Sequence, residues 1–422
     1  MSTNASESRT PADAAAPAAT ARPPARALPP TVVGLGFVSL FTDVSSEAIF
    51  PLLPAFLTTL GASNAFIGLI EGTADLVASV LKYLTGILAD RRTRLKPFVL
   101  FGYGISTLAR PLVALALAPW HVLAVRVADR VGKGIRTSPR DALIASATDP
   151  AMRARAFGFH HGMDHAGAAL GTLLGAGLLW WLGGADVSAG GTTTASGAQL
   201  RTVFAWAAVP GALAMLALAM TREPPRALPA PVAAGDASAL SPALKRALLP
   251  ITLFALANAS DAFILVKAAR LGAAPILAPL LWLGLHLVKA STASTGGRLA
   301  DRFGKRRALG LGWVVYAVTW SALGFADSFA LLAVLAALYG MTHGLIEGPE
   351  KALVAELAAG GGKGKAFGAY NMLVGLAALA ASGGFGVVWD RFGSVPAFAG
   401  GGACALLAAI VLALRVPAAP AR

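Results

Sequence analysis

One stretch of this chain occurs twice, and the repeat constrains the fold more than any other feature of the sequence. Around residue 86 the chain reads GILADRRTRLK, and around residue 297 it reads GRLADRFGKRR. Two shorter stretches repeat in the same register, PRDALIA with PEKALVA and AFG with AFG. The matching positions lie about 210 residues apart, and they are Asp90 with Asp301, Pro139 with Pro349, and Phe157 with Phe367. The sequence therefore predicts two similar halves.

Composition places both halves in a lipid bilayer. The chain is 56% hydrophobic and 13% charged, with a mean hydropathy of +0.66, whereas soluble domains carry about 25% charged residues. A helix needs about 20 mostly apolar residues to cross the hydrocarbon core. Such stretches predict spans at residues 31–60, 64–89, 97–118, 120–147, 155–182, 200–220, 248–270, 275–299, 306–325, 329–358, 366–388 and 395–415. We therefore expect an all-α membrane protein with twelve transmembrane helices in two pseudo-symmetric six-helix bundles.

Polar breaks divide the chain into five parts. Residues 1–30 are rich in Ala and Pro and contain no apolar stretch, so we expect a disordered cytoplasmic tail and not a cleaved signal. Residues 31–220 and 248–415 are the two bundles, and the Pro/Ala-rich residues 221–247 are a cytoplasmic linker between them. Residues 416–422 are expected to form a second cytoplasmic tail.

Lys and Arg residues concentrate on one side of the predicted spans. The loops after spans 2, 4, 8 and 10 and the linker are basic, whereas the opposite loops hold few cations, chiefly Arg201, Arg270 and Arg391. Since cytoplasmic loops are the basic ones, both termini are expected in the cytoplasm. Basic loops that face an anionic leaflet also account for the formal charge of +14 without a nucleic-acid partner.

Ionisable residues inside the spans are the candidates for function. A charge near the bilayer centre costs at least about 2.5–3.5 kcal/mol, so such a group must face protein or water. The charged residues of span 4 fall on one helical face and form a cationic stripe. The candidates for binding substrate and coupling ion are Asp43, Glu47, Glu71, Asp75, Arg126, Arg130, Lys133, Asp261, His286, Lys289, His343 and Glu347. The alternative for each is a buried ion pair that fixes one helix against another.

Two of these groups suggest specific roles. Asp43 and Glu47 are four residues apart on one helical face, and such a carboxylate pair is suited to hold a proton on one side of the membrane and release it on the other. Arg130 and Lys133 are either neutralised by nearby acids or left partly free to bind an acidic group of a substrate. The stripe as a whole favours the second role, because its cations outnumber the acids of spans 1 and 2.

The repeated motif resembles motif A of the major facilitator superfamily. The span 4 stretch RVADRVGKGIRTSPRDALIA resembles motif B of that superfamily, with Arg130 and Gly134 the best-fitting positions. FTDVSSEAIFPLLPAFL is similar to a bacterial branch of uncharacterised permeases and efflux-type members. The resemblance covers residues 31–415, and it implies a secondary transporter of the bacterial inner membrane that works by alternating access.

Motif A implies a gating latch, in which an acid and several cations pair with neighbouring helix ends in one conformation and separate in another. Charges at the cytoplasmic mouth are expected to gate as well. The gating candidates are Gly86, Asp90, Arg91, Arg94, Arg136, Arg140, Asp141, Gly297, Asp301, Arg302, Gly304, Arg306, Glu350 and Lys351. The alternative is that the loop charges only fix topology.

Two positions depart from the superfamily pattern. The first copy of motif A has Thr93 where Gly is usual, which puts the turn in doubt. Motif C would carry a Gly-Pro pair on span 5, but here Thr172 follows Gly171. What remains is a ridge of glycines at 167, 171 and 175, equally suited to an antiport signature and to close packing across the pseudo-twofold axis.

The sequence HHGMDH on span 5 offers a weak metal site. His161 and His165 are four residues apart with Asp164 beside them, a spacing that could hold one transition ion. Cys404 is the only cysteine, which excludes thiolate cages and disulfides within the chain. Structural hydrogen bonding of these side chains is the favoured interpretation, so no resident metal or other cofactor is expected.

These features leave three candidate functions. The first is proton-coupled movement, as export, of a small anionic or zwitterionic organic solute by a monomer. The second is export of a metal ion or a metal chelate such as a siderophore. The third, a membrane sensor or enzyme, would need a catalytic constellation on a loop, and the short loops hold none. A nucleotide-driven pump is disfavoured because the chain has no G-x-x-x-x-G-K-[ST] loop.

Overall fold

The computed structural model of the protein describes residues 27–90, 92–148, 153–183, 196–225, 240–357 and 363–416. The described residues form α-helices joined by short turns. The helices are α1 Pro30–Glu47, α2 Leu53–Thr59, α3 Asn64–Asp90, α4 Lys96–Ala109, α5 Pro119–Ala147, α6 Arg153–Trp181, α7 Gly197–Trp206, α8 Ala208–Met220, α9 Pro242–Ala257, α10 Ala262–Arg270, α11 Leu277–Phe303, α12 Lys305–Gly324, α13 Phe329–Leu357, α14 Lys363–Phe392 and α15 Ser394–Arg415. Taken in chain order, they make up the twelve membrane-crossing segments that the sequence predicts.

Eight stretches of the described residues are long and apolar enough to cross a membrane. They are Pro30–Thr59, Asn64–Ala89, Lys96–Leu115, Gly197–Met220, Pro242–Arg270, Phe329–Lys351, Ala366–Phe392 and Ser394–Arg415. Helix α5 is not among them because it carries the cationic stripe. It is nevertheless 29 residues long, or about 43 Å at 1.5 Å per residue, which is enough to cross the bilayer. Charged residues that must face protein or water therefore lower its hydropathy without shortening it.

Four spans that were expected to be continuous α-helices are broken. In span 3, α4 gives way at Pro111 to a 3-10 helix, Arg110–Leu115. Pro51 and Pro54 lack the N–H groups that a continuous span 1 would need, so α1 gives way to a 3-10 turn and then α2. Pro210 has the same effect near the junction of α7 and α8 in span 6. Span 7 was predicted at 248–270, but it begins earlier, at Pro242, and is interrupted between α9 and α10.

The break in span 7 is stabilised by polar side chains at residues 258–261. The Ser260 N–H donates to Ser382 Oγ on α14 at 3.1 Å, and the Ala262 N–H donates to Ser260 Oγ at 3.3 Å. Asn, Ser and Asp favour such local hydrogen bonds over a continuous helix. The break exposes backbone and side-chain polar groups in the middle of the molecule.

The two copies of motif A adopt different turns, and the first copy is the one in which Thr93 replaces the usual Gly. In the second copy, Gly304 alone separates α11 from α12, and its φ of 86° lies in the region that favours glycine. In the first copy, α3 ends at Asp90 and α4 begins only at Lys96. We call the end of the molecule that carries these turns the motif end and the other end the distal end.

Glycines allow close helix packing within and between the two sets of helices. A Cβ added at Gly171 would stand 2.5 Å from the carbonyl oxygen of Val44, so the glycine ridge of α6 packs on α1 in the same half. The expectation that this ridge packs across the pseudo-twofold axis was therefore wrong. The halves meet along α3 and α14, and α6 also contacts α11 of the second half. Between α3 and α14, a Cβ added at Gly72 would stand 2.6 Å from Leu379 Cα, and one added at Gly375 would stand 2.9 Å from Ser79 Cβ.

Candidate functional site

A cavity of about 360 Å³ lies between the two sets of helices at the centre of the molecule. The first set contributes Phe50 and side chains of α3 and α5, and the second contributes the broken segment 258–261 with side chains of α11, α13 and α14. The charged and ring-bearing lining residues are Phe50, Glu71, Asp75, Lys82, Arg130, Lys133, Asp261, Trp282 and His343. Seven of these nine lie on spans 2, 4, 7 and 10, the spans whose charges the sequence singled out.

Glu71 and Arg126 form a buried ion pair at the edge of this cavity. The Nη2 group of Arg126 donates to both carboxylate oxygens of Glu71, at 2.9 and 2.7 Å. The guanidinium also lies over the Phe50 ring, 5.3 Å from its centroid. Because both charges are satisfied by each other, this pair fits the structural alternative better than direct substrate binding.

A second buried pair, absent from the sequence-based candidates, anchors the first set of helices. Arg110 Nε donates to Asp129 Oδ1 at 2.9 Å, and Arg110 Nη1 donates to the carbonyl oxygen of Thr42 at 2.7 Å. Arg136, a predicted gating residue, is also buried here, and it donates to Ser106 Oγ at 2.5 Å and lies over the Tyr103 ring. This part of the stripe therefore binds α5 to its neighbours.

Three cations of the cavity are left without a partner of this kind. Among the described residues, Lys82, Arg130 and Lys133 form no side-chain hydrogen bond or ion pair, and Arg130 Nε is a buried donor with no acceptor. Asp75 likewise forms no side-chain hydrogen bond or ion pair with a described residue, whereas the other two lining acids, Glu71 and Asp261, are each in an ion pair. The first half thus presents three unpaired cations and one unpaired acid to the cavity.

The second half holds its charges in a compact network. Lys289 Nζ donates to Asp261 Oδ2 at 2.6 Å, and the Tyr339 hydroxyl donates to Asp261 Oδ1 at 2.5 Å. His286 Nε2 and His343 Nδ1 are buried without a partner among the described residues. The Lys289 ammonium also lies 6.0 Å from the centre of the Tyr339 ring. Sequence reasoning missed Tyr339, because an aromatic residue in an apolar helix carries no distinguishing pattern.

One hydrogen bond joins the two halves in the middle of the molecule. Trp282 Nε1 on α11 donates to Glu47 Oε2 on α1 at 2.8 Å. Trp282 packs between Phe50, at 4.8 Å, and His286, also at 4.8 Å, measured between ring centroids. Asp43, one turn before Glu47, makes no side-chain hydrogen bond or ion pair with any described residue. Of the two carboxylates that the sequence paired, Glu47 is therefore held by the second half and Asp43 is not held by a described side chain.

The predicted gating residues are dispersed. Glu350 is buried and accepts a hydrogen bond from the Tyr370 hydroxyl at 2.7 Å, whereas Lys351 is exposed. Glu347, a candidate for substrate or coupling ion, is exposed as well. Arg140 donates to the carboxylate of its neighbour Asp141 at 3.0 and 2.9 Å.

Charges of the second motif A copy contact nearby helix ends. Arg306 Nη1 donates to the carbonyl oxygens of Ala413 and Val416 at the end of α15, and Arg302 lies over the Phe303 ring. Arg94 is exposed. A Cβ added at Gly86 would lie 3.6 Å from Ser138 Oγ. The latch itself stays a prediction, because four of its members lie outside the described residues or side chains: Asp90, Arg91, Gly297 and Asp301.

The histidine cluster on α6 has a different composition from the one predicted. His160 Nδ1 and His161 Nδ1 lie 3.4 and 3.5 Å from Asp164 Oδ2, and the donor atoms of these three residues all lie within 4.8 Å of one another. His165 is exposed and does not join them. The expected pairing of His161 with His165 was therefore wrong. His160 was omitted from the predicted site because adjacent residues lie about 100° apart on a helix, which made His160 and His161 an unexpected pair of ligands.

Comparisons with known proteins agree with this architecture. A sequence model of the Major Facilitator Superfamily matches residues 35–289 and 262–422. An uncharacterised MFS-type transporter of Methanocaldococcus jannaschii is 29% identical over 362 residues, which cover 84% of this chain and 87% of that relative. Multidrug resistance protein MdtH of Proteus mirabilis is 33% identical over 132 residues, or 31% of this chain and 33% of MdtH.

A solved structure shares the fold over nearly the whole chain. It is a bacterial homologue of the human lysosomal transporter Spinster, in an inward-facing and unoccupied conformation. The TM-score is 0.69 at 18% identity, and the match covers 92% of this chain and 95% of that one. At this identity the likeness concerns the fold alone.

Proposed function

The chain belongs to the major facilitator superfamily, and on that premise we propose that it exports a small anionic or zwitterionic organic solute by proton-coupled alternating access. The solute binds in the central cavity between the two helix bundles, residues 31–220 and 248–415. The protein acts as a monomer in the bacterial cytoplasmic membrane with both termini in the cytoplasm.

The proposal for the substrate rests on the charge balance of the cavity. Glu71 is neutralised by Arg126 and Asp261 by Lys289, which leaves Lys82, Arg130 and Lys133 facing Asp75. Unpaired cations in a cavity of low dielectric are costly, and an anionic group of the solute offsets that cost. Asp75 remains for a positive group, which allows a zwitterion. The same excess of cations disfavours a bare metal ion as the transported species.

The volume of the cavity and its ring-bearing lining residues narrow the class of solute further. About 360 Å³ is near the lower end of the range of about 300–1,000 Å³ found for small-molecule sites, so the solute is small. Phe50 and Trp282 form an aromatic wall on one side of the cavity. A planar or apolar portion of the solute would pack on this wall while its acidic group meets the cations of α3 and α5.

The proposals for coupling, direction and orientation rest on three further observations. Asp43 has no partner among the described residues and lies one turn from Glu47, so one of the two carries the proton. The partial match to a multidrug resistance protein favours export, because that relative is named for resistance to drugs. The basic loops at the motif end support a cytoplasmic position for that end.

The test begins with ligand-dependent thermal stability of the purified full-length protein. Each carboxylic acid in the panel is measured beside its primary amide, which has nearly the same shape without the charge. We expect acids to raise the melting temperature and amides to leave it unchanged. Stabilisation by organic cations, or equal stabilisation by acid and amide, would contradict the proposal. A deletion strain screened against the same compounds then reports the direction of transport.

A further inference from the structure

His160, His161 and Asp164 bring three metal-ligating atoms together on α6, away from the residues that line the central cavity. The two Nδ1 atoms lie 3.4 and 3.5 Å from Asp164 Oδ2. These separations are too long for good N–H···O hydrogen bonds, which measure about 2.7–3.2 Å. Two donors bound at about 2.0–2.2 Å to one tetrahedral ion stand roughly 3.3–3.6 Å apart. We propose that these three side chains bind one divalent transition-metal ion.

Neighbouring groups orient the carboxylate for this role. Ser39 Oγ on α1 donates a hydrogen bond to Asp164 Oδ1, which leaves Oδ2 directed at both imidazoles. Such an outer hydrogen bond is a usual feature of metal sites, because it fixes the orientation of the ligand. Arg140 of α5 lies near enough to act on His161 and Asp164, but it donates to Asp141, whose carboxylate balances its charge. The site therefore keeps the negative charge that a cation requires.

Burial gives the site both rigidity and access. The His160 side chain is 1% exposed, whereas that of His161 is 65% exposed. One imidazole is thus held by packing, and the other leaves a path by which an ion can enter. Two imidazoles and one carboxylate suit Zn²⁺, Co²⁺ or Ni²⁺ and are a poor match for Mg²⁺ or Ca²⁺, which prefer oxygen ligands. Three protein ligands leave a fourth position for water.

A bound ion has a structural consequence at the contact between α1 and α6. Asp164 contacts α1 through Ser39, and the glycine ridge of α6 begins at Gly167, one turn further along. An ion that immobilises Asp164 also fixes this contact between the two helices. We therefore expect occupancy to raise the thermal stability of the whole protein. The ion is resident here and is distinct from the proposed organic solute.

The test is a Co²⁺ and Zn²⁺ titration of the full-length protein, purified without a polyhistidine tag. The visible absorption of bound Co²⁺ reports ligand number, and competition with a zinc-binding dye reports affinity. We expect one equivalent of Co²⁺ to bind, and His161→Gln to weaken binding about tenfold or more. The matched control is His165→Gln, which changes an exposed histidine one residue beyond Asp164 and should leave binding unchanged.

Asp164→Asn supplies a second variant, since its amide oxygen can still accept from Ser39. If that variant fails to fold, His161→Gln alone decides, because the His161 side chain is exposed. The proposal is overturned if the wild type binds no ion at micromolar concentration, or if His161→Gln binds as tightly as the wild type. Equal weakening by His165→Gln would also overturn it. No transport is measured, so failure of the proposed anion export leaves this test intact.

Discussion

Asp390, near the end of α14, caps the first turn of α3 by accepting a hydrogen bond from the Asn64 side chain at 2.7 Å. The same carboxylate accepts the backbone N–H groups of Asn64 and Ala65 at 3.1 and 2.8 Å. Free N–H groups and the positive end of the helix dipole make a helix N-terminus favourable for a carboxylate. Here the carboxylate comes from the opposite half, so the cap joins the two halves at the distal end.

Asp390→Ala should favour conformations in which the distal end is open. Loss of an N-cap costs about 1 kcal/mol, which would change the ratio of open to closed molecules about fivefold. The measurement is the distance distribution between spin labels at Thr59 and Phe325, two exposed distal positions in different halves, in a Cys404→Ser background. Asp327→Ala is the control, since Asp327 is exposed at the same end and makes no hydrogen bond with described residues. An unchanged distribution in Asp390→Ala would show that the cap does not bias the conformation.

Removal of one partner from the Glu71–Arg126 pair should destabilise the protein. Each single change, Glu71→Met or Arg126→Met, leaves a buried charge without a partner, which typically costs about 3–5 kcal/mol. The double variant removes both charges and should recover most of the loss. Unfolding in detergent by heat or denaturant measures the difference. If the single variants are as stable as the wild type, the two charges are solvated in the cavity, and Glu71 returns to the candidates for substrate binding.

The superfamily, the helical fold and several helix bounds could be predicted from the sequence. The predicted spans 64–89, 120–147 and 329–358 agree with α3, α5 and α13 to within one residue. The bounds of such helices can be predicted because polar residues interrupt the long apolar stretches at both ends. The break at residues 258–261 was missed because no proline marks it, and part of its stabilisation comes from Ser382 on a distant helix.

Pairing of charges was the least predictable feature of the site. Helical spacing places Arg126, Arg130 and Lys133 on one face, but it does not indicate that Arg126 is satisfied by Glu71 while the other two are not. That distinction depends on distances between helices, which a single sequence does not contain. For the same reason the cap between Asp390 and Asn64 had no signal in the sequence. The motif A latch, the coupling residues and the domain boundaries stay predictions.

Gly171→Ala should destabilise the contact between α1 and α6. The added Cβ would lie 2.5 Å from the carbonyl oxygen of Val44, and overpacking of this kind costs about 1–3 kcal/mol. Gly177→Ala is the matched control on the same helix, since its Cβ meets nothing within 4 Å. That change should be neutral or stabilising by about 0.5–1 kcal/mol, because alanine favours helix over glycine. Melting temperatures of both variants in one detergent make the comparison, and equal melting temperatures would contradict it.

Asp43→Asn should abolish accumulation driven by a pH difference while folding and solute exchange persist. Asp43 has no partner among the described residues, so the amide removes a titratable group without breaking a contact. Glu47→Gln keeps an acceptor for Trp282 and tests the second carboxylate in the same way. Trp282→Phe separates loss of that hydrogen bond from loss of charge. Uptake and counterflow in proteoliposomes with and without a pH difference provide the measurement. If both neutral variants still concentrate the solute, coupling lies elsewhere, with Asp75 and Glu347 the next candidates.

Arg130→Lys should weaken binding of the acidic solute although the positive charge is kept. The guanidinium presents a planar pair of donors that matches a carboxylate, and its Nε is buried without a partner among the described residues. Lysine offers a single mobile ammonium, and loss of one charge-assisted hydrogen bond of about 1.5 kcal/mol would weaken affinity about tenfold. Titration of the acid identified in the thermal screen measures the change. Arg94→Lys, at an exposed position of the motif end, is the matched control and should bind as the wild type does. Unchanged affinity in Arg130→Lys, or a substrate that proves to be a permanent organic cation, would reduce the α5 cations to a structural role. The acids of spans 1 and 2 would then become the binding groups instead.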